Sequence, residues 1–124
     1  MNHPDVSELF VVPDGVKKVT MVKDAKIQNA ASFTIQKEDH TLGNILRMQL
    51  LKDPDVLFAG YRMPHPLDHS IVLKIQTNSQ SNPQTALNNA IKRLLEDNLL
   101  PLEEKLKAEF NQRQRMESEY YTRD

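Results

Sequence analysis

Three observations predict a mixed chain in which one small sheet carries two helices. Apolar residues alternate with polar ones around Phe33 and Ile35, the spacing switches to threes and fours at Leu42, Ile45, Leu46 and Leu50, and that spacing returns from Leu87 onward. At 124 residues the chain fits one domain, 1–124, because two independent cores are hard to stabilise at that length.

Residues 1–16 mix apolar and turn-forming types (Pro4, Pro13, Asp14, Gly15) and read as an irregular arm, whose Leu9-Phe10-Val11-Val12 patch needs cover. Lys18 to Val22 offers a short strand. Over 31–37 Phe33 and Ile35 alternate with Thr34 and Gln36, the pattern of a half-buried strand. The three-four spacing then predicts a first helix over about residues 40–52, with Asp39 placed to accept from the amides of Thr41 and Leu42 and with Pro54 preventing its continuation beyond Asp53. Residues 56–63 and 70–77 return to β-type composition and predict a hairpin through the loop 64–69, with Ile71, Leu73 and Ile75 on one face.

The second helix opens with Pro83 in its first turn, where proline costs no hydrogen bond. Leu87, Ala90, Ile91, Leu94, Leu95, Leu99, Leu102, Leu106 and Phe110 keep the spacing over about 83–115, roughly 50 Å of helix. A domain of this size has a radius of gyration of about 14 Å, so the end of the helix is expected to project beyond its own sheet. Pro101 lies in its interior and predicts a kink or break near 97–101. Glu103/Lys107 and Glu109/Arg113 stand in the favourable i,i+4 order, and 116–124 read as a frayed tail.

Composition narrows the chemistry. With 16 Lys+Arg against 17 Asp+Glu, the formal charge of -1 gives no global field for gathering phosphates, so no direct nucleic-acid binding is expected. The absence of Cys excludes a disulfide framework, a thiolate zinc site and a cysteine nucleophile. No apolar run approaches the roughly 20 residues of a membrane span, and the opening residues lack the order of a signal peptide, which predicts a soluble intracellular chain. Three glycines are too few for a phosphate loop, and no Gly-x-Ser-x-Gly elbow surrounds any serine. Asp39, His40, His65, Asp68 and His69 offer donors for a metal and make a small metal-dependent hydrolase the competing class. His65 and His69 align only on a helix, however, and Pro64 and Pro66 oppose one, so no metal or other cofactor is expected.

The apolar fraction is 39%, against roughly 45–50% in ordinary globular chains, so the core is thin. Gly43 falls inside the first helical turn at a cost of about 1 kcal/mol, which a close-packed partner at the helix start would offset; a local irregularity is the alternative. Two helical stripes also compete for one sheet face. Leu99, Leu102, Leu106 and Phe110 are therefore expected to form an exposed patch of the kind that marks a protein interface, unless the arm covers them.

The run Glu38-Asp39-His40-Thr41-Leu42-Gly43-Asn44, together with Val56-Leu57-Phe58-Ala59-Gly60-Tyr61 and Pro64-His65-Pro66-Leu67 further along, closely resembles the small α-like (L-type) subunits of multisubunit DNA-directed RNA polymerases. Met1-Asn2, Pro4-Asp5 and Glu8-Leu9-Phe10, with the total length, look most like the branch found in nuclear RNA polymerase II. The branch shared by polymerases I and III and the archaeal branch are the alternatives. The resemblance implies an α+β dimerisation fold, with an antiparallel sheet, two helices and a long C-terminal helix. It implies a non-catalytic nuclear core subunit that pairs with the larger α-like (third) subunit and helps receive the second-largest subunit. It places Glu38, Asp39, His40, Thr41, Asn44, His65 and Pro66 in the family motif. The interface then falls on Leu42, Gly43, Ile45, Leu46 and Leu50 of the first helix, and on Leu87, Ala90, Ile91, Leu94, Leu95, Leu102 and Leu106 of the second. Truncating Leu46 or Leu94 to Ala is expected to cost the heterodimer roughly 2–5 kcal/mol.

Overall fold

The computed structural model describes Ser7 and residues 10–122. Met1, Asn2, Pro4, Asp5, Glu8 and Leu9, which carry the N-terminal part of the resemblance, lie outside the described residues, as do 123–124 of the expected tail. The elements in chain order are β1 (Val19–Lys23), β2 (Ala30–Gln36), α1 (His40–Leu51), β3 (Val56–Arg62), β4 (Ser70–Thr77), α2 (Pro83–Arg93), a π-helical segment (Leu94–Leu99) and α3 (Leu100–Thr122). Each strand and helix read from the sequence is present, with ends moved by a residue or two apart from the C-terminal helix.

All strand pairs are antiparallel, in the order β1-β2-β4-β3. Register places Phe33 opposite Leu73 and Ile35 opposite Ile71, and Ala59 opposite Ile75 on the next strand. The period-2 pattern thus puts Phe33, Ile35, Ile71, Leu73 and Ile75 on one buried face. The opposite face carries Ser32, Thr34, Gln36, Lys74 and Gln76, which stay half-exposed. Helix α1 packs over β3 and β4, burying Leu46 and Leu50, and α2 buries Pro83, Ala86, Leu87 and Ala90.

Local sequence sets the ends of the helices. The Asp39 carboxylate accepts from the Thr41 amide at 2.9 Å, the N-cap bond expected, though Leu42 does not share it. Lys52 closes α1 by donating its amide to the Gln49 and Leu50 carbonyls. Asn82 caps α2 by accepting from the Thr85 amide at 2.8 Å, and Pro83 takes the first helical position.

The chain divides into two compact units, Met1–Ala90 and Ile91–Asp124. The first holds the sheet and the core, while no residue of 91–122 is buried. Within the second unit the helical elements run on through Pro101. Leu94–Leu99 adopts the wider π turn, and the Leu100 amide donates to the Leu95 carbonyl five residues back. Proline lacks an N–H and its ring crowds the preceding α turn, so the chain changes helix type just ahead of it and does not break there, as the sequence allowed. Residues 116–122 of the expected tail are helical, since α3 runs to Thr122, whose hydroxyl donates to the Ser118 carbonyl at 2.8 Å. Glu103 and Lys107 form the expected ion pair at 3.1 Å, whereas no ion pair joins Glu109 and Arg113.

Candidate protein interface

The motif residues build the corner between β2 and α1. Glu38 accepts from the Lys18 ammonium at 2.8 Å, tying the approach to β1 to the end of β2, and Asp39 caps the helix. His40 Nδ1 and the Tyr61 hydroxyl share a 3.0 Å hydrogen bond, with the rings edge to face at 5.6 Å. Thr41 contributes the capped amide, and Asn44 accepts from Arg47 one turn later at 2.8 Å. His65 and Pro66 stand apart in the hairpin loop; His65 lines a cavity of about 490 Å³ with Lys37 and His69. His40 is therefore not gathered with His65 and His69, and among the described residues no group of three or more His, Asp or Glu is placed to hold a metal ion.

Gly43 answers to a side chain of its own chain. A Cβ on it would stand 2.5 Å from Tyr61 Cδ2 and 2.9 Å from Cγ, so the missing methyl makes room for the Tyr61 ring. The close-packed partner expected at the helix start is thus Tyr61 of the same chain. The structure also divides the expected interface set. Gly43, Leu46, Leu50, Leu87 and Ala90 lie in the chain's own core, with Leu46 2% and Leu50 0% exposed, and offer a partner almost no surface. The reason is helical phase: these positions share the face that covers the sheet.

Leu42 and Leu94 are half-buried, and Ile45, Ile91, Leu95, Leu102 and Leu106 are exposed. Sequence reasoning missed Met48 and Leu51, which continue from Ile45 at intervals of three along the outer face of α1 and are about half exposed. That repeat is visible in the sequence, but it merges there with the inner stripe at Leu46 and Leu50. Within the second unit, Leu95, Leu99, Leu102, Leu106 and Phe110 are all exposed, Leu106 by 62%. Such runs, on a helix with no core of its own, are what a protein partner covers.

The family model described as the RNA polymerase Rpb3/Rpb11 dimerisation domain matches residues 30–99. The chain is 66% identical over 83 residues to DNA-directed RNA polymerase II subunit rpb11 of Dictyostelium discoideum, covering 67% of this chain and 69% of that one. It is 47% identical over 95 residues to DNA-directed RNA polymerase II subunit RPB11 of Schizosaccharomyces pombe, covering 77% and 76%. Among solved structures it resembles DNA-directed RNA polymerase subunit L from Thermoplasma acidophilum, with a TM-score of 0.54 and 27% identity over 82% of this chain and 96% of that chain. With the motif corner, the antiparallel sheet and the matched span all in agreement, this chain belongs to the RNA polymerase Rpb3/Rpb11 dimerisation-domain family.

Proposed function

We propose that this chain is a non-catalytic core subunit of RNA polymerase II in the nucleus, and that it heterodimerises with the larger α-like (third) subunit. The heterodimer then serves as the platform on which the second-largest subunit and other core subunits assemble. The observation that carries this reading is the exposed apolar series from Ile91 to Phe110, in a helical unit with no buried residue among those described. The family match over residues 30–99 and the relatives' subunit names support it. The surface offered to the partner is Ile45, Met48 and Leu51 on α1, and Ile91, Leu95, Leu102 and Leu106 in the C-terminal helical unit. Leu42 and Leu94 are half-buried contributors.

The test is expression of the full chain alone and together with the larger α-like subunit, read by gel filtration. The pair is expected to elute as a stable one-to-one complex, while the lone chain self-associates through its uncovered residues. A soluble monomer that ignores the larger subunit would overturn the proposal.

A further inference from the structure

We propose that the free edge of β1 accepts an extended, acid-flanked segment of another polypeptide as a fifth strand of the sheet. The Gln36 amide donates to the Lys18 carbonyl at 2.8 Å and the Asp24 amide donates to the Ala30 carbonyl at 2.9 Å, which brackets the β1–β2 ladder. Inward bonding alternates along an antiparallel strand, so Thr20 and Val22 face β2 with their backbone groups. Val19, Met21 and Lys23 turn theirs outward. Those outward groups have no backbone partner among the described residues. Pairing with β2 holds one register over all five residues of β1, which leaves a regular template. The opposite edge, β3, is interrupted between Val56 and Phe58 and lies under α1, so it is the poorer acceptor.

Side chains define what fits. Val19, Met21 and Val22 are exposed along the strand. Lys17, Lys23 and Lys26 flank them without an ion-pair partner among the described residues, while Lys18 is taken by Glu38 and Asp24 by Lys74. At the Lys23 end, a cavity of about 450 Å³ is lined by apolar Met21, Ile27 and Pro83 and by polar Asp24, Asn29 and Asn82. The occupant is therefore an extended segment with an apolar centre and carboxylates at both ends.

The probe is a synthetic peptide with a Val-Ile-Phe-Val-Thr centre and two glutamates at each end, added to the full chain. It is expected to slow hydrogen exchange at the Val19, Met21 and Lys23 amides, while those of Thr20 and Val22, already in the ladder, change less. Met21→Pro deletes an outward N–H and no ladder bond, so it should weaken binding by about tenfold while leaving the unfolding midpoint in place. Where that midpoint falls, the Lys17→Glu/Lys23→Glu/Lys26→Glu variant decides, again with about a tenfold loss expected. Failure to slow exchange at those three amides, equal binding of a lysine-flanked peptide, or full binding to the deciding variant would overturn the proposal. It does not rest on the dimerisation reading, which gel filtration tests separately.

Discussion

A hydrogen atom at residue 43 decides how the motif corner packs. Glycine inside a helix costs about 1 kcal/mol relative to alanine, yet here it lets the Tyr61 ring lie against α1 while its hydroxyl meets His40. Gly43→Ala is therefore expected to lower stability by about 1–3 kcal/mol despite its better helix propensity, because the ring must be displaced from a packed position. In a Tyr61→Ala background the same change should become neutral or stabilising by up to about 1 kcal/mol, and a denaturant double-mutant cycle reads the difference. Asp24 supplies a second test. Its carboxylate accepts from the Lys26 amide at 2.8 Å and the Ile27 amide at 3.2 Å, with the Lys74 ammonium at 3.4 Å, and these hold its pKa below the ordinary value of 3.8. Folding thus favours the ionised form. Its contribution is complete above the ordinary value and is lost as pH falls through the lowered one. The stability gap between wild type and Asp24→Asn should accordingly shrink between about pH 6 and about pH 2, as measured by denaturant titration at each pH.

At the level of elements, α1 has two apolar faces with different duties. Leu46 and Leu50 close the core over the sheet, so Leu46→Ala is expected to cost the subunit itself about 2–5 kcal/mol. Ile45→Ala and Met48→Ala should leave the unfolding midpoint of the chain nearly unchanged and weaken its capture of the larger α-like subunit instead. Thermal unfolding beside a quantitative co-purification separates the two effects. A weakened midpoint for Ile45→Ala would place that side chain inside. This division is only half legible in the sequence. Period-2 and three-four spacings reveal which segments are strands and helices, because each period puts apolar groups on one side of its backbone. They do not reveal whether the side faces the chain's own sheet or a partner, since both bury the same residue types. Hence Leu42, Ile45, Leu46 and Leu50 read as a single stripe. The Tyr61–Gly43 contact is equally hidden, because residues 18 positions apart meet through sheet and helix packing that no local pattern encodes. The π-helical segment shows the same limit: Pro101 announces a disturbance, but how the chain absorbs it depends on bonding in the preceding turn.

For the molecule as a whole, the near-zero net charge and the thin core suit the same role. A chain whose residues 91–122 bury nothing internally leaves much of its apolar surface for association, and a formal charge of -1 adds little long-range attraction or repulsion. The proposed heterodimer should therefore be driven mainly by apolar burial, whose mark is a negative heat-capacity change on binding. Interfaces of that kind respond weakly to ionic strength. Binding to the phosphates of nucleic acid instead loses roughly three to five orders of magnitude in affinity between about 50 and 200 mM salt when six to ten contacts are made. Isothermal titration of the full chain with the larger α-like subunit is expected to show a negative heat-capacity change and an affinity altered by less than about tenfold over that salt range. Lys23 ends β1 and Lys17 and Lys26 flank it, at the sheet edge opposite β3, over which α1 packs, so reversing their charge should leave this affinity in place. A steep salt dependence abolished by those reversals would instead make the basic edge the principal contact and demote the helical surface.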